Sequence, residues 1–201
     1  MLLNRYMSKN IIITGGLGYI GTELCKLYSG LSWHHKITVI DNRFISERVN
    51  QIRNWNMNFI QGDILDKEFI KDHFKDADIV HHLAGVTDVP RVKSQASDTR
   101  DKKIKEVGEE GTQNILDAIT DKCKIIFPST HVVYEGINKI KTEIKEEEIT
   151  KPILSYASSK AVNEKQLKAS GKNYVILRLG SVYGYSTDSM RMDIMPNLFS
   201  K

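Results

Sequence analysis

The sequence predicts an α/β fold: a doubly wound parallel sheet with helices on both faces, in three α/β/α layers. Three observations carry this. Strand and helix signals alternate along most of the chain, as expected of parallel strands joined by crossover helices. The β-branched run Ile11-Ile12-Ile13 leads through Thr14 into a turn with glycines at 15, 18 and 21. A second apolar run, Ile37-Thr38-Val39-Ile40, ends in Asp41, 20 residues past Gly21.

The glycine turn sets the expected chemistry. Gly15 suits the tight exit from the strand. Gly18 leaves room for a pyrophosphate, and Gly21 lets the next helix sit close to the sheet. That helix would aim its N–H groups and positive dipole end at the phosphates. Three glycines alone also fit an ordinary strand-turn-helix. Asp41 strengthens the dinucleotide reading, because an acid about 20 residues on can hold the adenosine ribose.

The remaining elements follow in order. The first strand is expected at residues 10–14, and its helix at 17–29 with Leu17, Ile20, Leu24 and Leu27 as the buried stripe. Strands follow at 36–41 and 57–61, with the polar stretch 42–56 between them giving no clear pattern. Asp66 is placed to cap a helix ending at Phe74. A fourth strand is expected at 78–82, and a long helix at 97–120 with Ile104, Val107, Gly111, Ile115 and Ala118 on one face. A fifth strand at 124–127 is closed by Pro128-Ser129-Thr130. Residues 135–151 read as a charged, solvated loop. A helix at 153–168, a strand at 174–179 and a short final helix complete the pattern.

Composition narrows the function classes. The chain has 201 residues, 40% hydrophobic and 27% charged, a balance that suits one globular domain. Its net charge of +4, from 29 basic and 25 acidic residues, is spread along the chain, so nucleic acid is not an expected partner. Cys25 and Cys123 are too few for a disulfide framework or a metal site, and a reducing, cytoplasmic setting is expected. No apolar window reaches the roughly 18 residues of a membrane span. The first ten residues lack a signal core. Met7-Ser8-Lys9-Asn10 would make a natural start, with residues 1–6 an upstream extension.

Ligands of such a sheet bind beyond the carboxyl ends of the strands. Asp63 there could accept from an adenine amino group, or serve as a turn residue. Leu83-Ala84-Gly85 offers a small-residue passage for a dinucleotide, or simple tight packing. The strongest catalytic signal is Tyr156-Ala157-Ser158-Ser159-Lys160. Tyr and Lys four apart share one helix face. A phenol with a pKa near 10 is a poor base at neutral pH, and a nearby ammonium favours the phenolate. Of the eight tyrosines only Tyr156 has this partner.

With these residues in view, the chain resembles the extended short-chain dehydrogenase/reductases, the NAD-dependent epimerase/dehydratase group acting on nucleotide sugars (UDP-glucose 4-epimerase-like). Thr14-Gly15-Gly16-Leu17-Gly18-Tyr19-Ile20-Gly21 resembles the family's nucleotide-binding turn, and Val39-Ile40-Asp41-Asn42 its second strand end. Gly62-Asp63, with Ile64, and His82-Leu83-Ala84-Gly85 match its adenine-side and ribose-side contacts. Ser129-Thr130 to Val133-Tyr134 resembles its catalytic hydroxyl segment, and Tyr156 and Lys160 its catalytic pair. Arg178-Leu179 to Val182-Tyr183-Gly184 resembles the loop that reaches toward substrate.

The resemblance implies a Rossmann fold and NAD as cofactor, bound by Gly15, Gly18, Tyr19, Ile20, Gly21, Asp41, Asn42, Asp63, Ile64, Leu83, Ala84, Gly85, Tyr156 and Lys160. It implies Thr130, Tyr156 and Lys160 as catalytic residues. Val86, Thr130, His131 and Ser181 would face a nucleotide-sugar substrate, with no metal. His131 fits a solvent-facing loop histidine equally well. Three positions depart from the family pattern: Gly108 and Ser181 replace Asn, and Glu135 replaces Gly. The 4,6-dehydratases carry an Asp-Glu pair after the catalytic Thr, where this chain has His131 and Val132, which disfavours dehydration. The expected activity is epimerisation of a nucleotide sugar through a transient ketone. The alternatives are a one-way NAD(P)-dependent sugar or small-alcohol reductase, and a non-catalytic dinucleotide-binding protein. Residues 1–201 read as one NAD(P)-binding Rossmann domain that stops before a substrate-binding lobe, with weak NAD binding, negligible turnover alone and a tendency to aggregate. A homodimer is compatible with the sequence.

Overall fold

The computed structural model describes residues 7–87, 98–138 and 140–186. Six parallel strands run in the order β3-β2-β1-β4-β5-β6: β1 (Asn10–Thr14), β2 (Lys36–Asp41), β3 (Asn58–Gln61), β4 (Ile79–His82), β5 (Lys124–Thr130) and β6 (Asn173–Leu179). β1 pairs with β2 on one side and β4 on the other. The chain therefore winds outward in both directions from β1, and strand order reverses between β1 and β4. A crevice opens at that reversal, beyond the carboxyl ends of the strands.

The helices fall on both faces. α1 (Tyr19–Tyr28) and α2 (Ser46–Asn54) cover one, over a core of Ile11, Ile13, Ile37, Val39, Val49 and Ile52. α3 (Lys67–Phe74), α5 (Gly111–Ala118) and α6 (Ser155–Ala169) cover the other, over Ile12, Ile70, Phe74, Val80, Ile115 and Phe127. The alternation of Ile11, Ile12 and Ile13 between the two cores is the period-two geometry of a strand buried on both sides.

Several sequence expectations change. The first helix begins at Tyr19, not Leu17, and its buried face is Gly21, Thr22 and Cys25. Leu17 is buried in the turn before it, whereas Ile20 is 36% and Leu27 77% exposed. Leu24 packs half-buried on the core as expected, but the fully buried positions of the helix are small because the turn and helix approach the sheet closely. The unreadable stretch 42–56 contains α2, which buries only Val49 and Ile52 among charged neighbours. Asp66 caps α3 as expected, its carboxylate accepting from Phe69 N–H at 3.0 Å.

The long helix at 97–120 is a rod in three parts. α4 (Asp98–Lys105) and α5 are joined by a π-helical turn, Glu106–Glu110. That turn presses against α6, where Asn163 donates to the Gly108 carbonyl at 3.0 Å and a Cβ on Gly108 would strike the Ser159 hydroxyl. β5 runs through Pro128 to Thr130, paired with β6 to Leu179. Its pairing with β4 ends at Ile126, so Pro128 costs no bond on that side. The expected short final helix and the 1–6 extension lie outside the described residues. Among those described, no helix is long and apolar enough to cross a membrane.

Candidate functional site

A cleft of about 850 Å³ lies across the carboxyl ends of the strands. One end of it begins at the glycine turn. Gly15 has φ +68°, and a Cβ there would come within 2.7 Å of the Ala84 nitrogen. Only glycine allows both that backbone angle and the approach of the Leu83–Ala84 segment. Thr14 fixes this approach: its Oγ1 accepts from Ala84 N–H at 3.1 Å. Gly21 has a different neighbour from the one expected. A Cβ there would meet Gly16 Cα at 2.6 Å, so Gly21 closes the turn upon itself, and it is Gly16 that abuts Val39 of the sheet. Gly18 caps α1 and brings no side-chain acceptor to the helix start. Tyr19 donates from its hydroxyl to the Gly184 carbonyl at 2.5 Å, which ties residues after β6 to the glycine turn.

Asp41 is 5% exposed at the end of β2. Its Oδ2 accepts from Leu17 N–H at 3.1 Å, and its Oδ1 from the Arg43 backbone N–H at 3.1 Å and Arg43 Nε at 3.2 Å. The acid thus locks the glycine turn to β2 while lining the cleft. Asp63 serves the turn, accepting from Leu65 N–H at 3.0 Å and from Asn42 Nδ2 at 3.2 Å, and it also lines the cleft. Ile64 is 4% exposed and packs on Gly111, with only its edge on the cleft.

The hydroxyl, phenol and lysine come from two elements. Thr130 ends β5 and opens the 3-10 turn His131–Tyr134, where its Oγ1 accepts from Val132 N–H at 3.3 Å. A hydroxyl that accepts still has its own proton to donate. Tyr156 and Lys160 lie one turn apart on α6 and both line the cleft. Lys160 Nζ donates to the Pro128 carbonyl at 2.9 Å and sits 4.3 Å from the Phe127 ring centre and 5.9 Å from that of Tyr156. Burial pushes this ammonium down to about 8. Beneath it, His82 bridges Thr14 and Thr112, at 3.0 Å to each hydroxyl. Burial, aided by positive Lys160, pushes that imidazole down to about 3, so it is a neutral strut between β4, β1 and α5.

The residues expected to hold cofactor or substrate or to act in catalysis all line this one cleft: Gly15, Gly18, Tyr19, Ile20 and Gly21 with Asp41, Asn42, Asp63 and Ile64, then Leu83 to Val86, then Thr130, His131, Tyr156, Lys160 and Ser181. His131 Nδ1 donates to the Leu179 carbonyl at 3.1 Å, holding the end of β5 to that of β6. Ser129 borders the cleft but turns its hydroxyl to α6, and Arg178, outside the cleft lining, reaches α6 as well. Ser129 Oγ donates to Glu164 at 2.6 Å, and Arg178 forks onto the same carboxylate at 2.9 and 2.6 Å. Burial pushes the Glu164 carboxyl up, but the bonds from Arg178 and Ser129 outweigh it and hold it below its ordinary value. Arg48, Lys103 and Val107 also line the cleft. Arg48 comes from the stretch whose helix the sequence did not reveal, no spacing marked Lys103, and Val107 was expected only as part of an apolar helix face.

The family model for the NAD-dependent epimerase/dehydratase family matches residues 11–201. The chain belongs to the NAD-dependent epimerase/dehydratase family. A dTDP-D-glucose 4,6-dehydratase of Dictyostelium discoideum is 29% identical over 197 residues, covering 88% of this chain and 44% of the relative. The human enzyme of that name is 30% identical over 189 residues, covering 88% and 51%. Among solved structures, a UDP-N-acetylglucosamine 4-epimerase from Methanobrevibacter ruminantium is 31% identical with TM-score 0.68, over 85% of this chain and 54% of that one. A UDP-glucose 4-epimerase from Brucella ovis in complex with NAD is 28% identical with TM-score 0.72, over 89% and 54%. The chain thus spans about half the length of the relatives it matches.

The family's cofactor is NAD, and the cleft fits it. A Cβ-free turn, a helix start with no side-chain cap and a buried acid at the end of β2 converge at one end. A phenol, an ammonium and a hydroxyl converge at the other.

Proposed function

We propose that this chain is the cofactor-binding part of an NAD-dependent enzyme that epimerises a nucleotide sugar by transient oxidation to a ketone. The observation that supports the reading is that Thr130 at the end of β5 and Tyr156 and Lys160 on α6 line the same cleft as Asp41, with Lys160 Nζ 5.9 Å from the Tyr156 ring centre. The glycine turn would hold the pyrophosphate, Asp41 the adenosine ribose and Lys160 the nicotinamide ribose. When bound, NAD supplies reversible hydride acceptance.

The chain's own groups handle the proton. Tyr156 Oη takes it from the sugar hydroxyl as that carbon is oxidised, and gives it back after the ketone has turned its other face. Thr130 Oγ donates a hydrogen bond to the reacting oxygen. The Lys160 ammonium favours the phenolate of its neighbour by charge. Val86, His131 and Ser181 border the space left for the sugar.

The dehydratase names among the relatives raise a second reading, elimination of water from the sugar. His131 and Val132 follow Thr130 directly, and His131 Nδ1 is already committed to the Leu179 carbonyl. No carboxyl group stands at either position to protonate a leaving hydroxyl, which favours epimerisation.

A panel of UDP-, dTDP- and GDP-sugars, incubated with NAD and an excess of protein, tests this by product analysis. An epimer with no net reduced cofactor is expected. Tyr156→Phe should slow its formation by about a hundred- to ten-thousand-fold, the worth of general acid–base catalysis, while leaving NAD binding nearly intact. A dehydrated product, net cofactor reduction or more than half the wild-type rate in Tyr156→Phe would contradict the assignment.

A further inference from the structure

Glu135 lies outside the cleft, just past the 3-10 turn that Thr130 opens. Its Oε1 accepts from two backbone N–H groups, Ile153 at 2.6 Å and Leu154 at 2.7 Å. These residues lead directly into α6, and Tyr156 follows Leu154 by two positions. The N-cap position of α6, Leu154, has no side chain able to cap it. Glu135, 19 residues upstream of Leu154, acts as a capping-box acid does, accepting from the N–H of the N-cap residue itself and of the residue before it. A carboxylate there gains from the helix dipole and from charge-assisted bonds.

The backbone joins the same two segments. Lys151 N–H donates to the Val133 carbonyl and Gly136 N–H to the Lys151 carbonyl, each at 2.8 Å. Thr130 and Tyr156 belong to separate elements, β5 and α6, yet must act on one oxygen. The stitched segments 130–136 and 151–156 form the direct bridge between them.

We propose that Glu135 is a positioning residue: it locks the entry of α6 to the Thr130 turn and so places Tyr156 against Thr130 and Lys160. This rests on the reading of Tyr156 as the acid–base group. Glu135 is exposed, so its replacement leaves both cores intact.

The test uses this chain with Glu135→Ala and Glu135→Gln. Amide exchange at Ile153 and Leu154 reports the clamp. Magnetic resonance of ring-labelled tyrosine, with Tyr156→Phe to assign the signal, reports the Tyr156 titration. Glu135→Ala should speed exchange at both amides at least tenfold, an order-of-magnitude expectation for losing a charge-assisted acceptor. It should also raise the Tyr156 midpoint, because the phenol leaves its place near the Lys160 ammonium. Glu135→Gln keeps an acceptor oxygen and should restore both readouts. Faster exchange with an unmoved Tyr156 midpoint would reduce Glu135 to a helix cap and overturn the proposal. A midpoint that falls in both variants would show that the carboxylate acts by charge, and would overturn it equally. If Tyr156 is not the acid–base group, Tyr156→Phe keeps its rate on the sugar panel while exchange and titration still respond to Glu135.

Discussion

Asp41 and Lys160 carry the sharpest expectations at the scale of single residues. The Asp41 carboxylate should favour ribose hydroxyls and repel a phosphate placed on them. Arg43 opposes this, since its guanidinium already rests on Asp41 at 3.2 Å and could turn to such a phosphate. NAD should still bind more tightly than NADP, and Asp41→Ala should narrow the gap; calorimetric titration of both cofactors checks it, and equal or tighter NADP binding in the wild type would refute it. Lys160 should titrate near 8, against an ordinary 10.5, so it is charged below about 8 and neutral above. The unfolded chain binds that proton up to about 10.5 while the folded one releases it, so stability should rise between these pH values relative to Lys160→Met. Labelled-lysine resonance and denaturant titrations measure both; a Lys160 signal moving with the surface lysines would contradict the burial argument. The cleft residues were legible because each motif marks a strand end, and parallel strands bring their ends together. Glu135, Arg48 and Lys103 were not, because a contact 19 residues away in sequence or a lining position on an unmarked helix leaves no spacing to read.

At the scale of elements, α6 is held at both ends by carboxylates. Glu135 takes its amino end, and Glu164 joins its second half to Ser129 of β5 and Arg178 of β6. Tyr156, Lys160 and Glu164 recur every four residues, so Tyr156 and Lys160 lie along one side of the helix with their anchor. Removing one partner of a buried pair leaves the other uncompensated, and Glu164→Gln should cost about 3–5 kcal/mol. Denaturant unfolding checks this, and a loss under 1 kcal/mol would show the pair to be dispensable. The sequence resemblance had assigned the start of the substrate loop to Arg178, but strand alternation turns it to the α6 side. Strand positions were readable because β-branched runs are short and unambiguous. The α1 face was not, because close packing selects Gly21, Thr22 and Cys25 rather than leucines. The π turn was also hidden: a helical period is preserved across it, and only the approach of α6 to Gly108 reveals why it is there.

For the whole molecule, the cleft is asymmetric. Among the described residues, the end proposed for the cofactor is walled by the glycine turn, β2 and β4, and the end proposed for the sugar by the ends of β5 and β6, Val86 and α6. Among the described residues β6 forms one sheet edge, with Tyr174, Val175 and Leu177 37–42% exposed, a surface that favours association at high concentration. The reversal between β1 and β4 should build an NAD site around Gly15 and Asp41. Calorimetric titration of NAD into the folded chain, beside Gly15→Val, tests it most directly. The account expects one NAD per wild-type chain and a loss of at least about tenfold in affinity for Gly15→Val, where a side chain meets both a positive φ and the Ala84 backbone. A folded wild-type chain that takes up no NAD, or a Gly15→Val variant that binds it equally well, would contradict the account.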